Sequence, residues 1–305
     1  MIDHLIPKTL HEALSAMERV HFIKVAGGTD LMVQRRMGPM VEPRFESPVI
    51  FLYHLKELNY VKEEDHQLII GSMTPMEDLL HHPSIPNHFK KVLNDIASPG
   101  IRQMATLAGN LANASPAADT LVYLYASRAE ILLASLHHER IVPIRDFITG
   151  VKKTVLKDNE LIKEIHVPLC PCTTFTWTKV GGRKSDAISK VSFVGMAEMS
   201  DHHLKKIGIA LGAVAPMVIS DHAMEDDLQG LSIKELSMRK DAIIKHYASQ
   251  INPIDDQRSN KTYRRKVAIN LLTQFLDELL LKGMTSWTHT LWNILNASYA
   301  KKHIP

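Results

Sequence analysis

Apolar residues recur at three- and four-residue intervals at Leu10, Ala13, Leu14 and Met17, and again through "YRRKVAINLLTQFLDELLL". That period predicts helices with one buried face. Thr9 and Glu12 stand at capping-box spacing ahead of the first helix, and Thr74 and Glu77 repeat the spacing in "TPMEDLLHHP", which Pro83 closes. "HFIKVAGG" reads as a short buried strand, whereas "PVIFLYHL", "YVKEEDHQLIIG" and "AEILLASLHHERIVPI" read as strands and hairpins rich in β-branched and aromatic residues. The order of these segments predicts an α+β domain. "PLCPCTT" at 168–174 breaks the pattern and marks a domain boundary. Beyond it, "AISKVSFVGMAEMSDHHLKKIGIALGAVAP" predicts two long strands joined at "SDHH", followed by helices at about 232–250 and 261–282. In the tail, Trp287, Leu291, Ile294, Leu295 and Ser298 fall on one face of an amphipathic helix. It either packs onto its own chain or docks on a partner.

Composition narrows the function classes. A chain of 305 residues with 45% hydrophobic and 23% charged residues is that of an ordinary globular protein, long enough for two domains. The net charge of +3 comes from scattered Lys and Arg with no basic patch of interleaved aromatics, so nucleic acid is not expected as a partner. "MIDHLIPKTL" lacks the basic and apolar regions of a secretory signal, and no apolar run is long enough to span a bilayer. A cytoplasmic location with no membrane association is expected. Cys170 and Cys172, the only two cysteines, are too few for a disulfide framework or an iron–sulfur site and read as a loop at the domain junction. The histidine pairs His81/His82, His137/His138 and His202/His203 lie in polar turns without a carboxylate frame, so no metal site is expected. "YRRK" at 263–266 fits a phosphate or partner patch, but a charged helix face is the commoner explanation of such a run. No Ser/His/Asp arrangement or carboxylate pair has catalytic spacing, and no catalytic side chain is assigned.

Two stretches carry the candidate chemistry. In "VAGGTDLM", Gly27 and Gly28 follow a strand, where backbone N–H groups can converge on an anion and Thr29 can add a hydroxyl donor. A tight turn with Asp30 capping the next helix explains the same residues. Neither the dinucleotide G-x-G-x-x-G spacing nor the P-loop spacing is present. In "IRQMATLAGNLANASPAADT", Thr106, Gly109, Asn110, Asn113, Ser115 and Asp119 thread polar and small residues through an apolar segment. That suits backbone lying against a large polar ligand, or a buried loop whose side chains satisfy their own backbone.

Together, "VAGGTDLM" and "ATLAGNLANASPAADT" resemble the flavoprotein subunit of the molybdenum hydroxylases, the family of xanthine dehydrogenase and carbon monoxide dehydrogenase. "KVGGRKSDAISKVSF", "IGIALGAVAP" and "PIDDQRSNKTYRRKVAINLL" are similar to that family's C-terminal domain in the same order, so the resemblance covers roughly residues 3 to 282.

It implies a two-lobed FAD-binding domain of the vanillyl-alcohol-oxidase (PCMH) type over residues 1–172, with lobes at about 1–57 and 58–172. A smaller α/β CO-dehydrogenase-flavoprotein domain over 173–283 and an extension over 284–305 complete the expected organisation. The implied FAD contacts are Lys24, Val25, Ala26, Gly27, Gly28, Thr29, Asp30 and Leu31 in the first stretch, and Thr106, Leu107, Ala108, Gly109 and Asn110 in the second, with Asn113 following. Asp119 falls where the family has a flavin-contacting carboxylate, Ile96 at an apolar contact, and Ile162 and Lys179 where flavin is touched near the domain boundary. Ala108 departs from the family by replacing the first glycine of a second pair. Without the resemblance, Lys179 reads as a solvated lysine; with it, Lys179 brings positive charge near the flavin ring. No residue of the first glycine stretch offers a covalent tether, so FAD is expected to be non-covalent. Molybdopterin and [2Fe-2S] clusters are expected only on partner subunits, with NAD as one possible electron acceptor. A flavin-free scaffold subunit and a stand-alone flavin reductase are the alternatives.

Overall fold

The computed structural model describes residues 4–283; the expected amphipathic helix at 284–305 lies outside them. The first lobe contains β1 (His4–Leu5), α1 (Leu10–Met17), β2 (Ile23–Val25), α2 (Leu31–Arg35) and β3 (Val49–Phe51). Its three-stranded sheet has the order β1-β3-β2 with parallel pairing. Thr9 caps α1 by accepting from the Glu12 N–H at 3.1 Å, while the Glu12 carboxylate reaches back one residue further than a capping box requires, to the Lys8 N–H at 2.8 Å. Ala13, Leu14 and Met17 of α1 pack under Ile50, Leu52 and Leu55.

In the second lobe follow β4 (Val61–Glu64), β5 (Gln67–Gly71), α3 (Met76–His81), α4 (Asn87–Asn94), α5 (Pro99–Arg102), α6 (Leu107–Asn113) and α7 (Asp119–Ala126). After them come β6 (Glu130–Ala134), β7 (Glu139–Pro143), α8 (Ile144–Phe147), β8 (Ile148–Gly150), β9 (Lys153–Thr154) and β10 (Leu161–Pro168). A five-stranded antiparallel sheet, ordered β4-β5-β10-β6-β7, carries this lobe. Ile165 and Val167 of the central strand face the core with Ile70, Ile131 and Leu133, as the two-residue period of a strand requires.

Three expectations change here. Thr74 does not cap α3: its hydroxyl exchanges hydrogen bonds with the Tyr60 N–H and carbonyl, both at 3.0 Å, and Pro75 takes the cap position. Glu77 turns instead to Arg102, 2.7 Å away. The stretch at 101–120, for which a buried loop is one of two readings, holds the end of α5, all of α6 and the start of α7, and "PVIFLYHL" contributes only three strand residues.

The remaining chain forms β11 (Thr174–Val180), β12 (Val191–Ser200), β13 (His203–Gly212), α9 (His222–Asp226), α10 (Ile233–Gln250) and α11 (Lys261–Gly283). The strands pair antiparallel in chain order, and the β12–β13 hairpin turns at Asp201 and His202, both at positive φ. Val191 to Ala197 are all buried. The cause is coverage on both faces, by α11 on one and α7 of the second lobe on the other. A Cβ at Gly195 would lie 2.5 Å from the Phe275 ring, and one at Gly212 would lie 2.8 Å from Val122. Helix α7 is buried at every residue as a result, and it locks the two parts of the molecule together.

Candidate functional site

A cavity of about 650 Å³ opens where the two lobes and the β11 end of the last sheet meet. Seventeen of the eighteen residues implicated by sequence line it: Lys24 to Leu31, Ile96, Thr106, Ala108, Gly109, Asn110, Asn113, Asp119, Ile162 and Lys179. Leu107 does not. As the first residue of α6 it turns into the second-lobe core, 1% exposed.

The first end of the cavity is built from backbone. Parallel pairing with β3 stops at Val25, and the chain then turns into the five-residue helix α2. Among the described residues, no hydrogen bond engages the N–H groups of Gly27, Gly28, Thr29, Asp30 or Leu31. Five successive unpartnered donors at a cavity wall have the donor chemistry of an anion nest.

The two glycines serve it for different reasons. Gly28 adopts φ +69°, the left-handed region that turns successive amides inward and strains other residues. Gly27 is needed for close approach, because a Cβ there would lie 1.7 Å from the Met104 carbonyl oxygen in the α5–α6 connection. Asp30 holds the cap position of α2 but makes no side-chain cap; its carboxylate accepts from the Gln34 amide. Gln34 also reaches Asn113 at 3.3 Å and accepts from Lys152 at 2.9 Å, joining the first lobe to the second at the cavity rim.

Thr106 begins α6 by accepting the Gly109 N–H at 3.0 Å. A Cβ at Gly109 would sit 3.1 Å from the Thr106 hydroxyl and 3.5 Å from Ala26, so this glycine lets the two stretches close on one another. Ala108 is 4% exposed and belongs to the second-lobe core, which accommodates its methyl group. The Asn110 side-chain oxygen accepts from Thr120, tying α6 to α7.

The opposite end is charged, and its charges are paired. Lys179 from β11 reaches Asp119 at the start of α7 at 2.8 Å and donates to the Asp95 carbonyl at 2.6 Å. Both side chains of the ion pair are under a tenth exposed, which corrects the solvated reading of Lys179. Ser189 donates to the other Asp119 oxygen, and the Trp177 indole N–H donates to the Asp95 carboxylate at 2.8 Å. Burial pushes the Asp119 carboxyl up from its ordinary range, against the pull of the Lys179 ammonium and the Ser189 hydroxyl. Lys179 therefore brings a neutral pair, not a free positive charge, to the wall, and one of its three N–H donors is left for a ligand. Lys24 lies between the ends, donating to the Lys157 carbonyl at 3.3 Å, and burial lowers its ammonium against Asp158 and Glu160.

Sequence reasoning missed Ala97, Ile101, Gln34, Lys152 and the loop residues Asp186, Ala187 and Ile188, all of which line the cavity. The last three lie within "KVGGRKSDAISKVSF", between β11 and β12; the others carry no local signature and reach the cavity only through the tertiary fold. In "YRRK", Tyr263, Arg265 and Lys266 are exposed, as a charged helix face requires, but Arg264 is not: it is 3% exposed, donating to the Ala213 carbonyl at 3.0 Å and pairing with Asp256 at 2.6 Å. Among the described residues, no cluster of His, Cys, Asp or Glu could hold a metal ion, and no helix is long and apolar enough to cross a membrane.

Residues 1–170 match the family described as the FAD binding domain in molybdopterin dehydrogenase, and residues 177–279 match the CO dehydrogenase flavoprotein C-terminal domain. The chain is 30% identical to the glyceraldehyde dehydrogenase medium chain of Sulfolobus acidocaldarius, over 87% of this chain and 93% of that one. It is 26% identical to the carbon monoxide dehydrogenase medium chain of Hydrogenophaga pseudoflava, over 90% and 96%. A chain in the crystal structure of the cyanide-inactivated Cu,Mo-CO dehydrogenase superposes with a TM-score of 0.80 at 23% identity, covering 92% of this chain and 98% of that one, which shows the shared fold. By its two matched domains and its full-length relatives, the chain belongs to the FAD-binding flavoprotein subunits of the molybdenum hydroxylase family.

Proposed function

We propose that this chain is the electron-transfer subunit of a molybdenum hydroxylase complex, linking iron–sulfur and molybdopterin partner subunits to NAD⁺ or another acceptor. The observation that carries the residue-level reading is the row of five unpartnered N–H groups at one end of a 650 Å³ cavity. Such neutral donors bind a pyrophosphate without burying a lone counter-cation, which would be costly to desolvate. Gly27 to Leu31 hold the phosphates in this reading, with Thr106 to Asn110 closing over them. Ile96 and Ile162 supply apolar wall, and the remaining Lys179 donor and the Asp119 pair orient the polar edge of the cofactor. FAD, when bound, supplies the reversible electron chemistry that side chains lack.

The domain limits proposed are 1–172, with lobes at about 1–57 and 58–172, then 173–283 and an extension at 284–305. The location proposed is cytoplasmic.

The test is reconstitution. The purified chain should bind one FAD, and acid precipitation should release it into the supernatant. The loaded chain should exchange electrons with NADH or a dye, yet leave purines and aldehydes unhydroxylated, because that reaction draws its oxygen from metal-activated water. Yellow colour retained in the acid pellet would refute non-covalent binding. Hydroxylation by the metal-free chain would refute the subunit reading, and failure to take up FAD would refute the assignment of the cavity.

A further inference from the structure

Helix α2 carries the last of the unpartnered donors, the N–H groups of Asp30 and Leu31 at its start, yet it buries no side chain. Met32 and Val33 are exposed, Val33 at 70%, so no core contact fixes the direction in which this five-residue helix points. A segment held by so few apolar contacts depends on its polar ones. Among the described residues, Gln34 is the only α2 side chain that makes a hydrogen bond, and it makes three.

The Gln34 side-chain nitrogen donates to the Asp30 carboxylate one turn earlier and to the Asn113 side-chain oxygen at 3.3 Å. Its oxygen accepts from the Lys152 ammonium at 2.9 Å. An ammonium only donates, so Lys152 fixes which way the amide is turned. All four residues line the large cavity, and two of them belong to the second lobe. Those two are held by backbone. Asn113 ends α6 and is followed by Ala114 at φ +44°; Lys152, between β8 and β9, has φ +56° and donates its N–H to the Ala114 carbonyl at 3.1 Å. Two residues with side chains in the left-handed region persist only where their surroundings hold them there. The anchor that faces Gln34 is therefore the better fixed side of the bridge.

From an unburied helix that bears part of the donor row and a single glutamine that ties it across the cavity rim, we infer that Gln34 is a positioning residue for the cofactor, setting α2 and its donors against the second lobe through Asn113 and Lys152. The inference rests on the reading of Gly27 to Leu31 as the phosphate site. The choice of a neutral amide has a reason. Asp30 stands at the cap position of α2 without capping it. A carboxylate released there would turn onto the N–H groups of the first turn and set a negative charge where an anion has to bind. The Gln34 amide answers Asp30 with a donor and Lys152 with an acceptor, and so keeps both away from the donor row.

Titration of the apo chain with FAD, followed by flavin fluorescence, tests this. Gln34→Leu should raise the dissociation constant about ten-fold. The urea midpoint of the apo variant should not fall, because Gln34 is itself exposed. Lys152→Met, measured in about 0.5 M salt to screen its direct attraction for phosphate, should raise the constant about three-fold. The double variant should bind no more weakly than Gln34→Leu alone, as expected for two members of one bridge. Single effects that multiply in the double variant would show two independent ligand contacts and overturn the inference. Wild-type affinity in Gln34→Leu would overturn it as well, as would a lowered apo midpoint, which would assign the glutamine to folding stability. Each of these outcomes leaves the assignment of the cavity intact, whereas a wild-type chain that takes up no FAD would overturn both.

Discussion

The two ends of the large cavity confront a ligand in opposite ways. At the Gly27–Leu31 end, five backbone donors have no partner within the described chain. At the Asp119–Lys179 end, full charges are present but are satisfied by one another, by Ser189 and by Asp95. Neutral amides cost little to leave at a cavity wall, whereas a lone buried charge is expensive, so the charged end arrives already neutralised. The position of a charged residue in a sequence thus says little about the charge a ligand meets.

The largest effect should come from breaking the pair. Lys179→Met leaves Asp119 buried without its cation and should cost about 3–5 kcal/mol in denaturant unfolding. Adding Asp119→Asn to Lys179→Met should recover part of that loss; strictly additive costs would show that the two charges do not compensate each other.

A second carboxylate at the same boundary provides a contrast. Glu225 is fully buried, with Arg128 of the second lobe 3.3 Å away, and burial pushes its carboxyl up from 4.5 to about 7. Its folded value exceeds its unfolded value, so its contribution to stability is complete below pH 4.5 and is lost as the pH rises through about 7. The difference corresponds to roughly 3 kcal/mol. Denaturation midpoints measured from pH 4.5 to about 8 should show this loss, and Glu225→Gln should flatten the profile across that window. An unchanged slope in the variant would assign the pH dependence to other groups.

Adjacent glycines sharpen the contrast within the neutral end. Gly27→Ala drives a methyl group into the Met104 carbonyl, so it should cost about 1–3 kcal/mol whether or not FAD is present. Gly28→Val meets only Met32 and Val25, at 3.2 and 3.3 Å, together with a strained φ. It should cost about 1–2 kcal/mol and, more tellingly, abolish FAD uptake by protein that remains folded. Equal flavin occupancy in wild type and Gly28→Val, read from the absorbance of the soluble protein, would remove Gly28 from the nest.

By itself, the sequence determined what depends on near neighbours. The cap and period of α1, the periods of α10 and α11, the β12–β13 hairpin and its turn, and the break at 168–174 all follow from residues a few positions apart, where spacing and side-chain type suffice. The two polar stretches were recognisable as one site through their resemblance to a family, and lobe closure puts all their assigned residues but Leu107 around one cavity. Leu107 escaped because membership of a motif does not say which way a side chain turns at the first position of a helix. Only the tertiary structure decided the rest. Thr74 caps nothing because Tyr60 claims its hydroxyl, Arg264 is buried because Asp256 and Ala213 satisfy it, and Gly27 is glycine because a carbonyl from the α5–α6 connection passes against it. Lys179 is neutralised by a carboxylate on a helix far earlier in the chain. Burial and pairing are properties of what the folded chain brings together, and no local spacing encodes them.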